Sequence, residues 1–227
     1  MSEGDGAFDA YKDRKIPKVL LSQTNWEALN FYHKSVVAFQ MTVAFCRRFL
    51  PKYGDRTVDQ MVQAARSGKQ NIVEGFADGV TSTKMQMELL NVARASINEL
   101  REDYLDFLVA NHGAPWKKGH PRFQPMIDFC RVHNDLDDYR PFFEKWDAET
   151  FANTGLTICH MIDAMMNHFI KGKETEFVQQ GGLHERMHAA RTGYRKGQDE
   201  RLAFLEKENK ELKEEVARLK AQLGERR

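Results

Sequence analysis

Apolar residues recur along this chain at alternating spacings of three and four, and no segment shows the two-residue alternation of a half-buried strand. A first helix starts near Asn25 or Trp26. Leu29, Tyr32, Val36, Phe39, Val43, Cys46 and Leu50 form its stripe, and Pro51 and Gly54 end it. A second opens at Thr57, with Gln60 completing a capping box. Its stripe of Val58, Met61, Ala65, Gly68 and Ile72 is narrow and built of small residues, and Gly75 and Gly79 suit its stop. A third is capped by Ser82 or Thr81. It buries Leu89, Val92, Ala93, Ser96, Leu100, Tyr104 and Phe107, carries a second stripe of Leu90, Ile97 and Leu108, and ends at His112–Pro115. A fourth starts near Asp147 or Ala148, runs through Phe151, Ile158, Met161, Ile162, Met165 and Phe169, and stops at Gly172. The pattern predicts an all-α fold: an antiparallel four-helix bundle over 25–176, followed by a short helical suffix and a C-terminal coiled coil.

The segments outside those helices differ in character. Residues 1–24 read as a disordered or extended lead-in, and Met1–Gly6, with neither a basic n-region nor an apolar h-region, does not read as a signal peptide. Residues 113–146 form a loop and short-helix insertion between the third and fourth helices, with a short helix over Pro125–His133 and an acidic turn over Asn134–Pro141. Residues 177–197 form a basic suffix, broken by Gly181-Gly182, with Gly193 and Gly197 expected to interrupt its helix.

Residues 198–227 are a heptad repeat. Leu202, Asn209, Val216 and Leu223 occupy a positions, and Leu205, Leu212 and Leu219 occupy d positions. Val and Asn at a with Leu at every d favour a parallel dimer. The g-to-e pairs Arg201–Glu206, Glu208–Lys213 and Glu215–Lys220 are all opposite in sign and select the partner more than they hold it. The stretch Glu215–Lys220 with Leu223–Arg226 resembles the end of the leucine zipper of basic-zipper transcription activators, through either a graft or convergence on good zipper residues.

Composition narrows the chemistry. The net charge of +1 gives no global field toward nucleic acid, so any basic surface is local. The apolar run Val36–Phe45 is too short and too interrupted to span a bilayer. Three widely spaced cysteines, Cys46, Cys130 and Cys159, read as reduced core thiols of a cytoplasmic protein. His184-Glu185-Arg186-Met187-His188 matches the H-E-x-x-H zinc-protease spacing, but Tyr194 and Arg191 stand where the extended pattern needs His and Gly. Cys130 and His133 lack a second ligand pair, and Asp135, Asp137 and Asp138 lack the Gly and Glu of a calcium loop. No catalytic residue, metal ligand or cofactor is assigned.

Two local basic surfaces remain. Lys117, Lys118 and Arg122 lie among Trp116, His120 and Phe123, a mixture suited to phosphate contact and base stacking. Arg186, Arg191, Arg195 and Lys196 precede the zipper, and Arg47 and Arg48 are weaker candidates. A third feature is a polar seam in an apolar helix: Gly68, Asn71, Glu74 and Gly75, expected to face Ser96 and Glu99 on the third helix. There Gly68 marks a close contact and Gly75 the helix stop. A Glu74–Glu99 approach needs a shared proton or a bridging Arg94 or Arg101.

With Asn71, Ile72, Glu74, Gly75, Ser96 and Glu99, the chain resembles the bacterial four-helix-bundle proteins encoded in 23S ribosomal RNA intervening sequences. Val73 stands where that motif usually has Ala. The family also includes the accessory variability protein of diversity-generating retroelements. Trp116, Ala152-Asn153, Phe177, Gly181-Gly182, Glu185-Arg186-Met187, Arg191 and Arg195 resemble its subgroup with a C-terminal suffix. The resemblance spans Trp26–Lys196 and excludes the zipper. It implies a bundle that assembles into rings, often pentameric, without established enzyme activity, and with a nucleic-acid-binding or scaffold role.

The functional expectation is a non-enzymatic homo-oligomer that binds RNA or DNA, or serves a nucleic-acid-processing partner such as a reverse transcriptase. The alternative is a pure assembly or adaptor protein, and neither needs a membrane. A dimer-favouring zipper does not match a five-fold ring. Either zippers pair between rings, or the chain is a dimer, or five-fold assembly does not transfer.

Overall fold

The computed structural model describes Val19 and residues 24–51, 56–79 and 81–224. The expected lead-in therefore lies almost wholly outside the described residues, as do Gly54 and the last three positions of the heptad segment. All regular structure among the described residues is helical: α1 (Asn30–Phe49), α2 (Thr57–Asp78), α3 (Thr83–Ala110), α4 (Phe123–Val132), α5 (Leu136–Tyr139), α6 (Ala148–Gln180) and α7 (Leu183–Gly224), with 3-10 turns at Trp26–Ala28 and Arg140–Phe142. One compact unit is Ser22–Gly182; α7 and Val19 belong to another.

Local chemistry sets the helix starts. Asn25 Oδ1 accepts the Glu27 N–H at 3.1 Å and opens the first turn. Ser82 Oγ accepts the Met85 N–H at 3.1 Å, and Asp147 Oδ1 accepts the Thr150 N–H at 2.7 Å. Asp135 and Asp138 form a capping box, so the expected acidic turn is the short helix α5. At the end of α3, His112 takes a left-handed φ of 57° and the Gly113 N–H returns to Leu108 O at 2.8 Å.

In the Ser22–Gly182 unit, α1 packs against α2 and α6, α2 against α3, and α3 against α6. The interior of this ring of neighbours is aromatic. Phe45 meets Phe107, Tyr104 and Phe151 at centroid distances of 4.8, 5.1 and 5.7 Å. Farther along, Phe31 meets Phe169 at 5.6 Å and Phe76 at 6.3 Å. Full burial of such rings contributes about 1.5–3 kcal/mol each. Nine consecutive residues, Phe151–Cys159, are buried, so α6 is covered on every side just after its first turn.

The expected face of α1 is displaced. Phe31, Ser35, Ala38, Met41, Thr42 and Phe45 are buried, whereas Tyr32, Val36, Phe39 and Val43 are half-buried and only Cys46 of the expected stripe is in the core. The helix is apolar nearly all round, so two 3.6-residue stripes fit, and the one that meets the aromatic interior wins. On α3 both expected stripes reach the core: Ala93, Ser96, Leu100 and Tyr104 of the first and Leu90, Ile97 and Leu108 of the second are buried, while Leu89 and Phe107 are half-buried and Val92 is exposed.

Several expected glycine stops are not stops. α2 continues through Gly75 to Asp78, and α6 continues through Gly172 to Gln180. α7 continues through Gly193 and Gly197. A lone helical glycine costs about 1 kcal/mol, which neighbouring turns and packing offset. The break falls at Gly181, where φ is 71°.

Candidate nucleic-acid interface

The loop patch is tied to the fold. Trp116 is 8% exposed. Its backbone N–H donates to Asn153 Oδ1 at 2.7 Å and its Nε1–H to Glu149 Oε1 at 3.2 Å. His120 stacks on the indole at 4.9 Å, and the Arg122 guanidinium lies 5.5 Å from the ring centre. Arg122 also donates to Thr150 Oγ1 at 3.2 Å and lies 3.8 Å from Asp147 Oδ2. Hydrogen bonds from Thr150, helped by Arg122, hold the Asp147 carboxyl below its ordinary range. Trp116 thus anchors the start of α6, and its ring already carries His120 and Arg122. Lys117 and Lys118 are exposed. Trp116 borders two cavities: one of about 390 Å³ with Phe123, Ile127 and His160, the other of about 420 Å³ with Phe129, Phe142 and Trp146.

Of the weaker candidates, Arg47 is exposed, and Arg48 donates to the Phe143 carbonyl and lies 4.6 Å from the Phe49 ring centre.

The seam on α2 and α3 joins fewer of its polar residues than expected. Asn71 Nδ2 donates to Ser67 O at 3.0 Å and to Ser67 Oγ at 3.1 Å, and Ser96 Oγ donates to Ser67 Oγ at 3.0 Å. Glu74 and Glu99 are exposed, so no shared proton or bridging arginine is required. Arg94 pairs with Asp163 at 2.9 Å and Arg101 with Glu102 at 2.8 Å. Gly68 is the expected close contact: a Cβ there would lie 2.7 Å from Ile97 Cδ1. At Gly75 a Cβ would make only ordinary contact, 3.4 Å from Gln86 O. An open polar cleft of about 430 Å³ lies over Arg56, Gln60, Gln63, Ser67, Ser96 and Glu99. Farther along α3, burial and then the neighbouring Asp106 and Glu99 push the Asp103 carboxyl up.

On α7, Arg191, Arg195 and Lys196 are exposed, and Arg186 Nε donates to Val19 O at 3.0 Å. Below them the apolar heptad residues are uncovered, from 42% exposed at Leu205 to 68% at Leu223, and Asn209 is exposed among them. His184 and His188 lie one turn apart on the same helix, both exposed, and no cluster of three or more ligating side chains occurs among the described residues. His133 Nδ1 lies 3.4 Å from Asp138, and His33 Nδ1 lies 2.8 Å from Asp135. Among the described residues no helix is long and apolar enough to cross a membrane.

Two polar residues anchor the fold in a role that the sequence did not give them, Asn153 figuring there only as part of a motif. Asn153 is buried, and Lys34 on α1 is 2% exposed with Nζ donating to the carbonyls of Cys130 and, at 2.9 Å, His133. The only signal for Lys34 is a lysine inside an apolar stretch.

No family model, curated protein or solved structure matches the chain. The likeness to the intervening-sequence proteins rests on the motifs alone.

Proposed function

We propose that the protein is a non-enzymatic, homo-oligomeric scaffold that binds nucleic acid: an antiparallel four-helix bundle joined to copies of itself by a parallel coiled coil. The observation that carries this reading is the uncovered apolar line from Leu202 to Leu223 on α7. Large apolar side chains on a 3.5-residue repeat, flanked by complementary g and e charges, are best covered by a second copy. The ring of contacts among α1, α2, α3 and α6 supports the bundle. Arg191, Arg195 and Lys196, exposed on the helix that bears the seam, support phosphate binding. Buried cysteine thiols outside any disulfide support a cytoplasmic location.

Membership of the 23S intervening-sequence family, and an accessory role beside a reverse transcriptase or similar enzyme, belong to the same proposal and rest on the helix-2 and suffix motifs. The zipper favours a dimer over a pentamer. Light scattering tests this: twice the 26.3 kDa chain mass is expected. Titration of RNA and DNA against salt tests the ligand, since an affinity independent of ionic strength excludes phosphate-led binding.

One observation favours a second reading, a pure assembly or adaptor protein. The Trp116 ring, the stacking platform expected in the loop, is buried beneath His120 and Arg122. Defined oligomers that bind no nucleic acid at low salt would establish that reading.

A further inference from the structure

The four-three spacing that sets the apolar line on α7 does not end at Leu202. Counted back, Gln198, Arg195, Arg191, His188 and His184 occupy the same d and a positions, and α7 is helical across all of them. All five are exposed. The covered face is the opposite one. Ala190 and Gly197, at c positions, are buried, and Arg186, at f, is held by Val19 O. One side of a single helix thus changes from apolar to cationic at Gln198.

In a parallel pair, residues at a and d face their own counterparts. Below Gln198 that brings Leu to Leu. Above it, Arg191 and Arg195 would meet the same arginines of the second copy, and like charges in contact drive the arms apart. We infer that two copies pair along Leu202–Leu223 and diverge above Gln198 into a cationic fork that seats on double-stranded DNA, with Arg191 and Arg195 against its phosphates. This rests on the nucleic-acid reading above and adds the mode of binding. Each arm, Leu183–Gln198, spans about 24 Å at 1.5 Å per residue. That exceeds the roughly 12 Å width of the DNA major groove, which admits a helix. The deep, narrow major groove of duplex RNA does not, so the geometry selects DNA.

The test is a fluorescence-anisotropy titration of the full chain with a duplex DNA of about 20 base pairs, over about 50–200 mM salt. Replacing Arg191 and Arg195 together by Ala removes two cations per chain and four per dimer. The slope of log affinity against log salt should fall in magnitude by about 3 to 4, with at least roughly tenfold weaker binding. Leu205→Asp with Leu212→Asp, monomeric by light scattering, should lose as much although every arginine remains. Duplex RNA of the same length should bind at least about tenfold more weakly. Leu202→Cys should cross-link copies under mild oxidation, because only the parallel arrangement brings that end of the seam together.

The fork is overturned by a double-arginine variant that binds like the parent, or by a seam variant that stays dimeric or binds undiminished. Failure of Leu202→Cys to cross-link, or equal binding of duplex RNA, also overturns it. If Lys117→Ala with Lys118→Ala then abolishes binding, the scaffold still binds nucleic acid, through its loop. A parent chain that binds neither duplex nor single-stranded nucleic acid at low salt ends both readings.

Discussion

Asn153 holds Trp116 by the main chain. Its Oδ1 accepts the buried Trp116 N–H at 2.7 Å, while its Nδ2 donates to Ala114 O at 3.3 Å and Glu149 O at 3.0 Å. One side chain thereby fastens the segment after α3 to the first turns of α6, and the indole completes the join through Glu149. Asn153→Ala leaves the Trp116 N–H and the Ala114 carbonyl without this partner, at a cost of about 1–3 kcal/mol. The thermal midpoint should fall by several degrees, about 2–4 °C per kcal/mol for a chain of this size. Asn153→Asp keeps an acceptor for the Trp116 N–H and should recover part of the loss. A red shift of tryptophan emission in the alanine variant would report the loosened loop, and unchanged emission with an unchanged midpoint would refute the anchoring role.

What was legible in the sequence was local. Helices announce themselves by period, and caps such as Ser82 and Asp147 act within three residues of their own position. The rest depends on partners distant in sequence. Asn153 is separated from Trp116 by 37 residues, and Lys34 from Cys130 by 96, and nothing beside either residue signals the bond. Period alone could not orient α1, because Val37, Met41 and Phe45 are as apolar as Val36, Phe39 and Val43. Glycines misled where they stand inside a helix: Gly75, Gly172, Gly193 and Gly197 do not end theirs, whereas Gly68, read as a close approach, and Gly181, read as a break and holding a positive φ, are both as expected. The exposed seam and the arginines above it were visible because their pattern lies within one helix; the continuity that joins them was not, since a glycine costs too little to end a helix by itself.

Gly155 is such a close approach, and the sequence pattern does not mark it. A Cβ at Gly155 would lie 2.6 Å from Tyr104 Cε2 and Cζ. Tyr104 is fully buried and its hydroxyl meets Thr42 Oγ1 at 3.0 Å, so the ring has little room to move. Gly155→Ala gains about 1 kcal/mol of helix propensity but overpacks the core, at about 1–3 kcal/mol, and disturbs the Thr42 bond. Overpacking less the propensity gain leaves about 0–2 kcal/mol, and the disturbed Thr42 bond adds about 0.5–1.5 kcal/mol, so a net destabilisation is expected in urea titrations. Gly172, with nothing within 4 Å of its Cβ position, is the control. Gly172→Ala should stabilise by about 0.5–1 kcal/mol. The same sign for both substitutions would refute the steric argument.

The three thiols should be silent in the folded protein. All three are buried and none is in a disulfide. Burial pushes Cys130 up to about 11 and Cys159 up to about 12, so neither is a thiolate near neutrality. The thiolate is the reactive form. A chromogenic disulfide reagent should find almost no thiol in the native chain and all three once it is unfolded. Rapid reaction of one equivalent without denaturant would place a cysteine outside the core.

Lys34 should make stability depend on pH in the alkaline range. Its ammonium is buried against the Cys130 and His133 carbonyls, at the C-terminal end of α4. Burial lowers its pKa from 10.5, opposed by Cys130 and Asp138. Between the lowered folded value and the ordinary one of 10.5, the unfolded chain holds a proton that the folded chain has released. Lys34 therefore makes stability rise with pH across that window. Below the window both states are charged and the folded state carries the full burial cost. Lys34→Met removes the titration and also leaves two carbonyls without their donor, a loss of about 1–3 kcal/mol near neutrality. The difference in urea stability between parent and variant should widen as pH climbs toward 10.5 and stay constant below the window. Comparing the two chains cancels the titration of every other lysine and tyrosine. A gap that stays constant over the whole alkaline range would show that Lys34 is not desolvated in the folded protein.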